Sequence, residues 1–339
     1  MLTKSTQWLM WTKSTDFVWS DTGMSKTELS ALPAGEPAAI HGSVQFDLAS
    51  AITGRTYRIF IFKPEVEAPP GGYPLVLAVD GNMVFPIMAT VDATFELTGK
   101  AAIVVGVGYP TSDYLELMRL RTRDLTPPTP LDRIPQRPGL PPVRLEDYGG
   151  ADDFYRFLTE ELIPALSKAY SIDPANRTLY GHSWGGLFTL NTLLKHPRAF
   201  RAFIASSPSI WWNRRAILAD FAAFGAKVRS GACAPRVLVT VGGTEQRVPN
   251  PIPAVMLEGV AKRAPYLPAW LQTLVARVVV GKMLKDYSMV DNARQLAGRL
   301  RGVGGPPGYS ARFHVFRDED HLTSLPASVG RALDFALRP

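Results

Sequence analysis

Residues 178–190 read Thr178-Leu-Tyr-Gly-His-Ser-Trp-Gly-Gly-Leu-Phe-Thr-Leu190. A short apolar run enters Gly181-His182-Ser183-Trp184-Gly185. Leucines at 187, 190, 193 and 194, with helical spacing, leave it. A Gly-x-Ser-x-Gly between a strand and a helix predicts a nucleophile elbow, a turn so tight that only small residues fit two positions on either side of the serine. The serine hydroxyl is then pushed out at the sheet edge. The N-terminus of the following helix points at the same spot, where developing negative charge is stabilised. The competing reading is an ordinary tight turn around a buried serine.

Working outward, strand-like and helix-like segments alternate. Leu75–Val79 is a buried strand that ends at Asp80-Gly81-Asn82. Residues 101–107, 203–205, 237–241 and 313–316 are further strands, and 154–166, 214–224, 286–301 and 326–337 fit helices. Such alternation predicts an α/β fold of the α/β-hydrolase type, with a central, mostly parallel sheet covered by helices on both faces. Residues 40–48 and 55–62 alternate apolar and polar around Gly54-Arg55 and predict two antiparallel strands at its start. Residues 1–39 read as an N-terminal arm carrying Trp8, Trp11 and Trp19, and 40–339 as one domain. Two stretches interrupt that domain. Residues 110–148 hold seven prolines after Thr122 and six arginines, and read as a long functional loop. Residues 246–285 read as a lid-like cap of small helices.

The composition is that of an ordinary globular chain: 339 residues, 46% hydrophobic and 20% charged, which excludes a wholly disordered or fibrous protein. Its one cysteine, Cys233, excludes an intrachain disulfide and a cysteine zinc cluster, and five histidines do not make a His-rich metal protein. No metal or organic cofactor is expected. The net charge of +7 carries no recognisable nucleic-acid motif, so no nucleic-acid partner is expected. A basic surface suits attraction of an anionic small substrate. No apolar run is long enough to span a membrane and no secretory leader is visible, so no membrane contact is expected. A cytoplasmic location follows, or a periplasmic one should a leader precede Met1.

A serine hydroxyl needs a base. In this architecture the histidine follows the serine, near the end of the chain. His41 precedes it, the His182 ring should project away, His196 sits before Pro197 at a helix end, and His314 lies inside an apolar strand. His321, on the loop after the last strand, is the candidate base. Of the eight acids between Ser183 and His321, Glu245 follows a buried strand directly, in Val241-Gly-Gly-Thr-Glu245, on a loop that should open at the same edge. It is the candidate third member of a triad, the alternative being a Ser–His dyad with Glu245 on the surface. Oxyanion donors are expected from the backbone N–H of Trp184 and from Gly81 or Asn82.

Tyr180-Gly-His-Ser-Trp-Gly-Gly-Leu-Phe188, Ala205-Ser-Ser-Pro-Ser-Ile-Trp-Trp212 and Asp320-His321 together resemble the esterase family of α/β-hydrolases, and within it the enterobactin/salmochelin and ferri-bacillibactin esterases. Asp80-Gly81-Asn82, Gly108-Tyr109-Pro110, Arg121-Thr-Arg-Asp-Leu-Thr-Pro127 and the Gly149-Gly150 segment fit the same pattern, so the resemblance covers residues 40–335. It implies hydrolysis of a siderophore ester, often a catecholate trilactone, with iron arriving only as part of the substrate. By the resemblance Arg121 contacts the anionic head, and Tyr109, Trp211 and Trp212 line the substrate. For the tryptophans, core packing is the alternative, and the other arginines of 110–148 read as paired with local acids. Two further readings stay open: an esterase of this fold acting on another acyl ester or thioester, and a ligand-binding protein on a hydrolase scaffold.

Overall fold

A computed structural model describes residues 38–134 and 144–338. The N-terminal arm expected over 1–39 lies outside them apart from its last two residues, as do Arg137 and the prolines at 135, 138, 141 and 142.

Eight strands form one sheet in the order β1-β2-β4-β3-β5-β6-β7-β8. β1 (Ser43–Ala49) and β2 (Thr56–Phe62) form the expected antiparallel hairpin, and β2 joins β4 (Ile103–Gly108) antiparallel. β3 (Tyr73–Val79), β5 (Ile172–His182), β6 (Ala202–Ser206), β7 (Arg236–Gly242) and β8 (Ser310–Phe316) run parallel to β4. This is the α/β-hydrolase sheet. β4, β6, β7 and the last five residues of β5 are buried along their whole length, and β3 nearly so, as a sheet covered on both faces requires.

Strand alternation sorts the core into two layers. Leu75, Leu77, Val79 and Leu179 pack on one side, with Phe154, Phe157, Leu187, Leu190, Phe224 and Leu296. Val76, Ala78 and Tyr180 pack on the other, with Val84, Met88, Val329 and Leu333. The second layer is made by α1 (Gly81–Phe95) and α10 (Ser324–Leu337). The first is made by α2 (Tyr114–Leu125), α3 (Ala151–Arg156) running through a π-turn (Phe157–Leu162) into α4 (Ile163–Ala169), α5 (Trp184–Lys195), α6 (Phe221–Arg229) and α9 (Met289–Arg301).

Register fixes where the chemistry emerges. His182 pairs with Ser206, Ser206 with Thr240, and Gly242 with Phe316. The residues that follow β5, β6, β7 and β8 therefore leave the sheet side by side, at its carboxyl edge.

Three stretches depart from expectation. Residues 110–148 are not a continuous loop. Their first half holds α2, because after Pro110 no proline follows until Pro127 and Asp113 caps the helix by accepting from the Glu116 N–H. Residues 214–224 begin in a left-handed turn: Asn213, Arg214 and Arg215 all have positive φ (47, 53 and 64°) before the chain turns right-handed. The cap expected over 246–285 holds α7 (Ala254–Ala261) and a much longer helix, α8 (Ala269–Tyr287). Tyr287, at the end of α8, stacks on Trp211 with ring centroids 4.0 Å apart and planes 9° from parallel. Among the described residues no helix is long and apolar enough to cross a membrane.

Candidate active site

Ser183 stands between β5 and α5 with φ 59° and ψ −114°, a conformation that side-chain-bearing residues rarely adopt and that persists only where neighbours enforce it. The Ser183 N–H donates to the Ser206 carbonyl at 2.9 Å, and its own carbonyl accepts from Leu187 at 3.0 Å and Ser209 at 3.1 Å. A Cβ at Gly181 would overlap the Gly185 carbonyl, and one at Gly186 would lie 2.8 Å from the Ser206 carbonyl. The glycines of the motif are thus required by backbone crossing at the turn.

The Ser183 Oγ lies 2.9 Å from His321 Nε2, and His321 Nδ1 lies 2.7 Å from Glu245 Oε2. Glu245 sits on the loop after β7 with its side chain 1% exposed. Its other oxygen accepts from the Gly242 N–H at 2.7 Å and from Ser207 Oγ at 2.6 Å. With Oε1 filled by donors and Oε2 facing the imidazole, the carboxylate holds the proton on Nδ1. Nε2 then presents its lone pair to the serine hydroxyl. The loops carrying acid and imidazole are knitted together: Gly243 donates to the Phe316 carbonyl at 2.7 Å, and Thr244 donates to the Glu319 carbonyl from its N–H (3.0 Å) and from its Oγ1 (2.9 Å). Asp320, the acid nearest His321 in sequence, is spent on the turn itself. It accepts from the Leu322 and Thr323 N–H groups, bonds that help hold its pKa below the usual carboxylate value.

Trp184 opens α5, and Gly81 and Asn82 open α1, so all three stand in the first turn of a helix. The Asn82 side chain is committed elsewhere: it donates to the Tyr109 carbonyl (2.9 Å) and accepts from the Tyr109 N–H (2.8 Å), tying α1 to the end of β4.

Three residues expected to contact substrate are placed differently. Arg121 is buried and paired two-pronged with Asp80, both bonds 2.7 Å, with its guanidinium 5.4 Å from the Trp184 ring centroid. Burial opposes its charge and Asp80 restores it, leaving the pKa above the ordinary arginine value. It is a neutralised pair behind the elbow rather than an open cation. Tyr109 is buried in the core, with its hydroxyl on Asp124 at 3.1 Å. Trp212 is buried too: its Nε1 donates to Thr129 Oγ1 at 2.8 Å and its ring stacks on Tyr148. Trp211 remains half-buried beside them. The apolar environment of each ring explains the difference; the motif places the backbone at the site and does not say which way a side chain turns.

His182 also departs from expectation. Its ring does not project away but packs beside His321, with centroids 4.9 Å apart. Ser207 and Ser209, whose Oγ is 3.5 Å from that of Ser183, complete the surroundings. Their signal in the sequence is the Ser206-Ser-Pro-Ser209 run directly after β6. Among the described residues no group of three or more His, Cys, Asp or Glu is arranged to hold a metal ion.

A serine on an elbow, an imidazole and a buried glutamate in hydrogen-bonded sequence also mark out known proteins. The family model described as "Putative esterase" matches residues 138–267. The ferri-bacillibactin esterase BesA of Bacillus subtilis is 35% identical over 297 residues, covering 86% of this chain and 88% of that protein. This chain belongs to the esterase family. A siderophore triacetylfusarinine C esterase of Aspergillus fumigatus is 31% identical over 314 residues, covering 88% of this chain and 94% of that one. Among solved structures, the BES protein of Bacillus cereus superimposes with a TM-score of 0.71 at 28% identity over 91% of this chain and all of that one. The siderophore hydrolase EstB of Aspergillus nidulans gives 0.68 at 30% identity over 89% and 98%. The esterase shares its fold with these relatives.

Proposed function

We infer that this esterase hydrolyses ester bonds of a siderophore, of the catecholate class, through an acyl-enzyme on Ser183. The observation that carries the reading is the unbroken relay from Ser183 Oγ through the His321 ring to Glu245. Relatives named for ferri-bacillibactin, triacetylfusarinine C and enterobactin support a siderophore ester as substrate, and the first and third of them a catecholate one. The aromatic pair of Trp211 and Tyr287 beside the Ser209 segment is a surface that suits catechol rings.

In this mechanism Ser183 Oγ attacks the ester carbonyl carbon while its proton passes to His321 Nε2. Glu245, charged and desolvated, keeps Nδ1 protonated and stabilises the imidazolium. The carbonyl oxygen becomes an oxyanion facing the backbone N–H of Trp184 and those of Gly81 or Asn82, where the open ends of α5 and α1 aim positive potential. His321 Nε2 then gives its proton to the leaving alkoxide, the C–O bond breaks, and the acyl group stays on Ser183. Water repeats the sequence: its proton goes to His321, its oxygen bonds the acyl carbon, and the serine leaves with the proton returned. Any iron enters with the substrate.

A second reading, the same chemistry on an uncharged acyl ester or thioester, is favoured by one observation: the arginine nearest the elbow is already neutralised by Asp80. One experiment separates the two and tests both. Wild type and Ser183→Ala are incubated with ferric and iron-free tricatecholate trilactones and with simple acyl esters, and products are read by mass spectrometry. Opened trilactone from wild type and none from Ser183→Ala is the expected result. Turnover of acyl esters alone would move the conclusion to the second reading, and equal turnover by Ser183→Ala would remove the serine from the mechanism.

A further inference from the structure

We propose that His182 is a positioning residue, a buried imidazole wedged between the end of β6 and the His321 loop that sets where the His321 ring stands. The proposal rests on the reading of Ser183, His321 and Glu245 as the catalytic relay.

The direction of the side chain follows from the strand. Tyr180 and His182 lie two apart on β5 and point to the same face. That face belongs to α10, since the Tyr180 hydroxyl meets Ser328 Oγ at 2.6 Å. α10 is the helix into which the His321 loop runs, so the residue preceding the nucleophile is delivered underneath the base. There it is 5% exposed and makes contacts on both sides. Nδ1 lies 3.1 Å from Ser206 Oγ, and the ring packs against that of His321 with its plane tilted by 40°.

His321 needs such a support. Its side chain is 38% exposed, so one flank of the ring is open to solvent. Glu245 and Ser183 hold its two nitrogens, which fixes the line between them and leaves the ring's depth in the site to its packing. Ser324 Oγ, 3.2 Å from the His321 carbonyl, holds the main chain from the helix side, and the His182 ring packs against the His321 ring from the sheet side. The wedge is also uncharged. Burial first, then the neighbouring His321 ring and Arg121 guanidinium, push its pKa well below the ordinary histidine value. A charged group in the same place would repel the imidazolium formed during attack; a neutral one supports it without that cost.

The test uses the full chain and two variants. His182→Leu keeps bulk and loses the hydrogen bond to Ser206; His182→Gln keeps a donor and an acceptor at similar reach. Steady-state kcat and KM on a chromogenic ester, the rate of fluorophosphonate labelling at Ser183, and Tm are measured together. A displacement of about 1 Å at a catalytic group is enough for a loss of about 100-fold. His182→Leu is therefore expected to lose about that much in kcat and in labelling rate with KM little changed, and His182→Gln to recover most of it. Should His182→Leu not accumulate folded, His182→Met, apolar and flexible enough to fill the space, takes its place. A Leu variant (or that Met variant) that labels and turns over like wild type overturns the proposal. So does a folded Gln variant of unchanged Tm that falls as far as Leu. Wild type that neither labels at Ser183 nor cleaves esters would instead defeat the underlying hydrolytic reading, and the proposal with it.

Discussion

Replacing Glu245 by glutamine changes one atom and should nearly abolish turnover. The amide can sit in only one orientation. Its oxygen must take the Oε1 position, because two donors, the Gly242 N–H at 2.7 Å and Ser207 Oγ at 2.6 Å, converge there. The flipped amide would set NH2 against the Gly242 N–H, donor to donor, in a site 1% exposed. The NH2 group therefore lands where Oε2 stood, 2.7 Å from His321 Nδ1. It can only donate, so Nδ1 must be bare and the ring proton must move to Nε2, 2.9 Å from Ser183 Oγ. The base then donates to the nucleophile it should deprotonate. A wrong tautomer in a serine hydrolase costs about four decades of kcat, about 5 kcal/mol at 1.36 kcal/mol per decade. Because side-chain volume and the Oε1 bonds are retained, the fold should hardly notice. The assay is kcat for a chromogenic ester at neutral pH, with Tm measured alongside. A Glu245→Gln enzyme within tenfold of wild type would refute the triad and leave a Ser–His dyad in its place.

Two further outcomes test the frame around the site. Arg121→Leu leaves the Asp80 carboxylate buried without its partner and should destabilise the protein by about 3–5 kcal/mol in urea unfolding; pairing it with Asp80→Asn should restore most of the loss, asparagine being at home at the φ of 63° found there. Asp92 is fully buried in α1, with Oδ2 accepting from the Ala102 N–H and Oδ1 among the buried atoms without a partner, and burial raises its pKa from 3.8 to about 7. A carboxyl raised in the folded state favours folding fully only below the unfolded pKa, and that contribution fades as pH climbs from about 4 to about 7. Asp92→Asn should therefore be the more stable protein at pH 8, by up to about 4 kcal/mol, and the gap in denaturation midpoints should close toward pH 4.

Much of the site was legible because its residues are fixed by backbone. Gly181 and Gly186 mark backbone crossings that leave no room for a Cβ, and the ends of β7 at Gly242 and of β8 at Phe316 put Glu245 and His321 at the edge where Ser183 emerges. The α/β alternation and the antiparallel start were equally plain, because each buried strand is a short apolar run. Side-chain direction was less accessible. Arg121, Tyr109 and Trp212 occupy motif positions yet turn inward, each toward a partner distant in sequence: Asp80, Asp124 and Thr129. Proline density hid α2, since composition averaged over 110–148 masks a helix that ends before the first proline of the run. The left-handed turn at 213–215 carries no glycine to announce it.

The stitching of the β7 and β8 loops has a consequence for how such a catalyst can change. His321 and Glu245 ride on one interlocked pair of loops, while Ser183 stands on the separate turn after β5, two strands from β7 in the sheet. Slippage, insertion or remodelling elsewhere in the chain can alter the gap between these two modules but hardly the spacing inside the first. Evolution, or an engineer refitting the enzyme for a bulkier ester, has a single distance to defend.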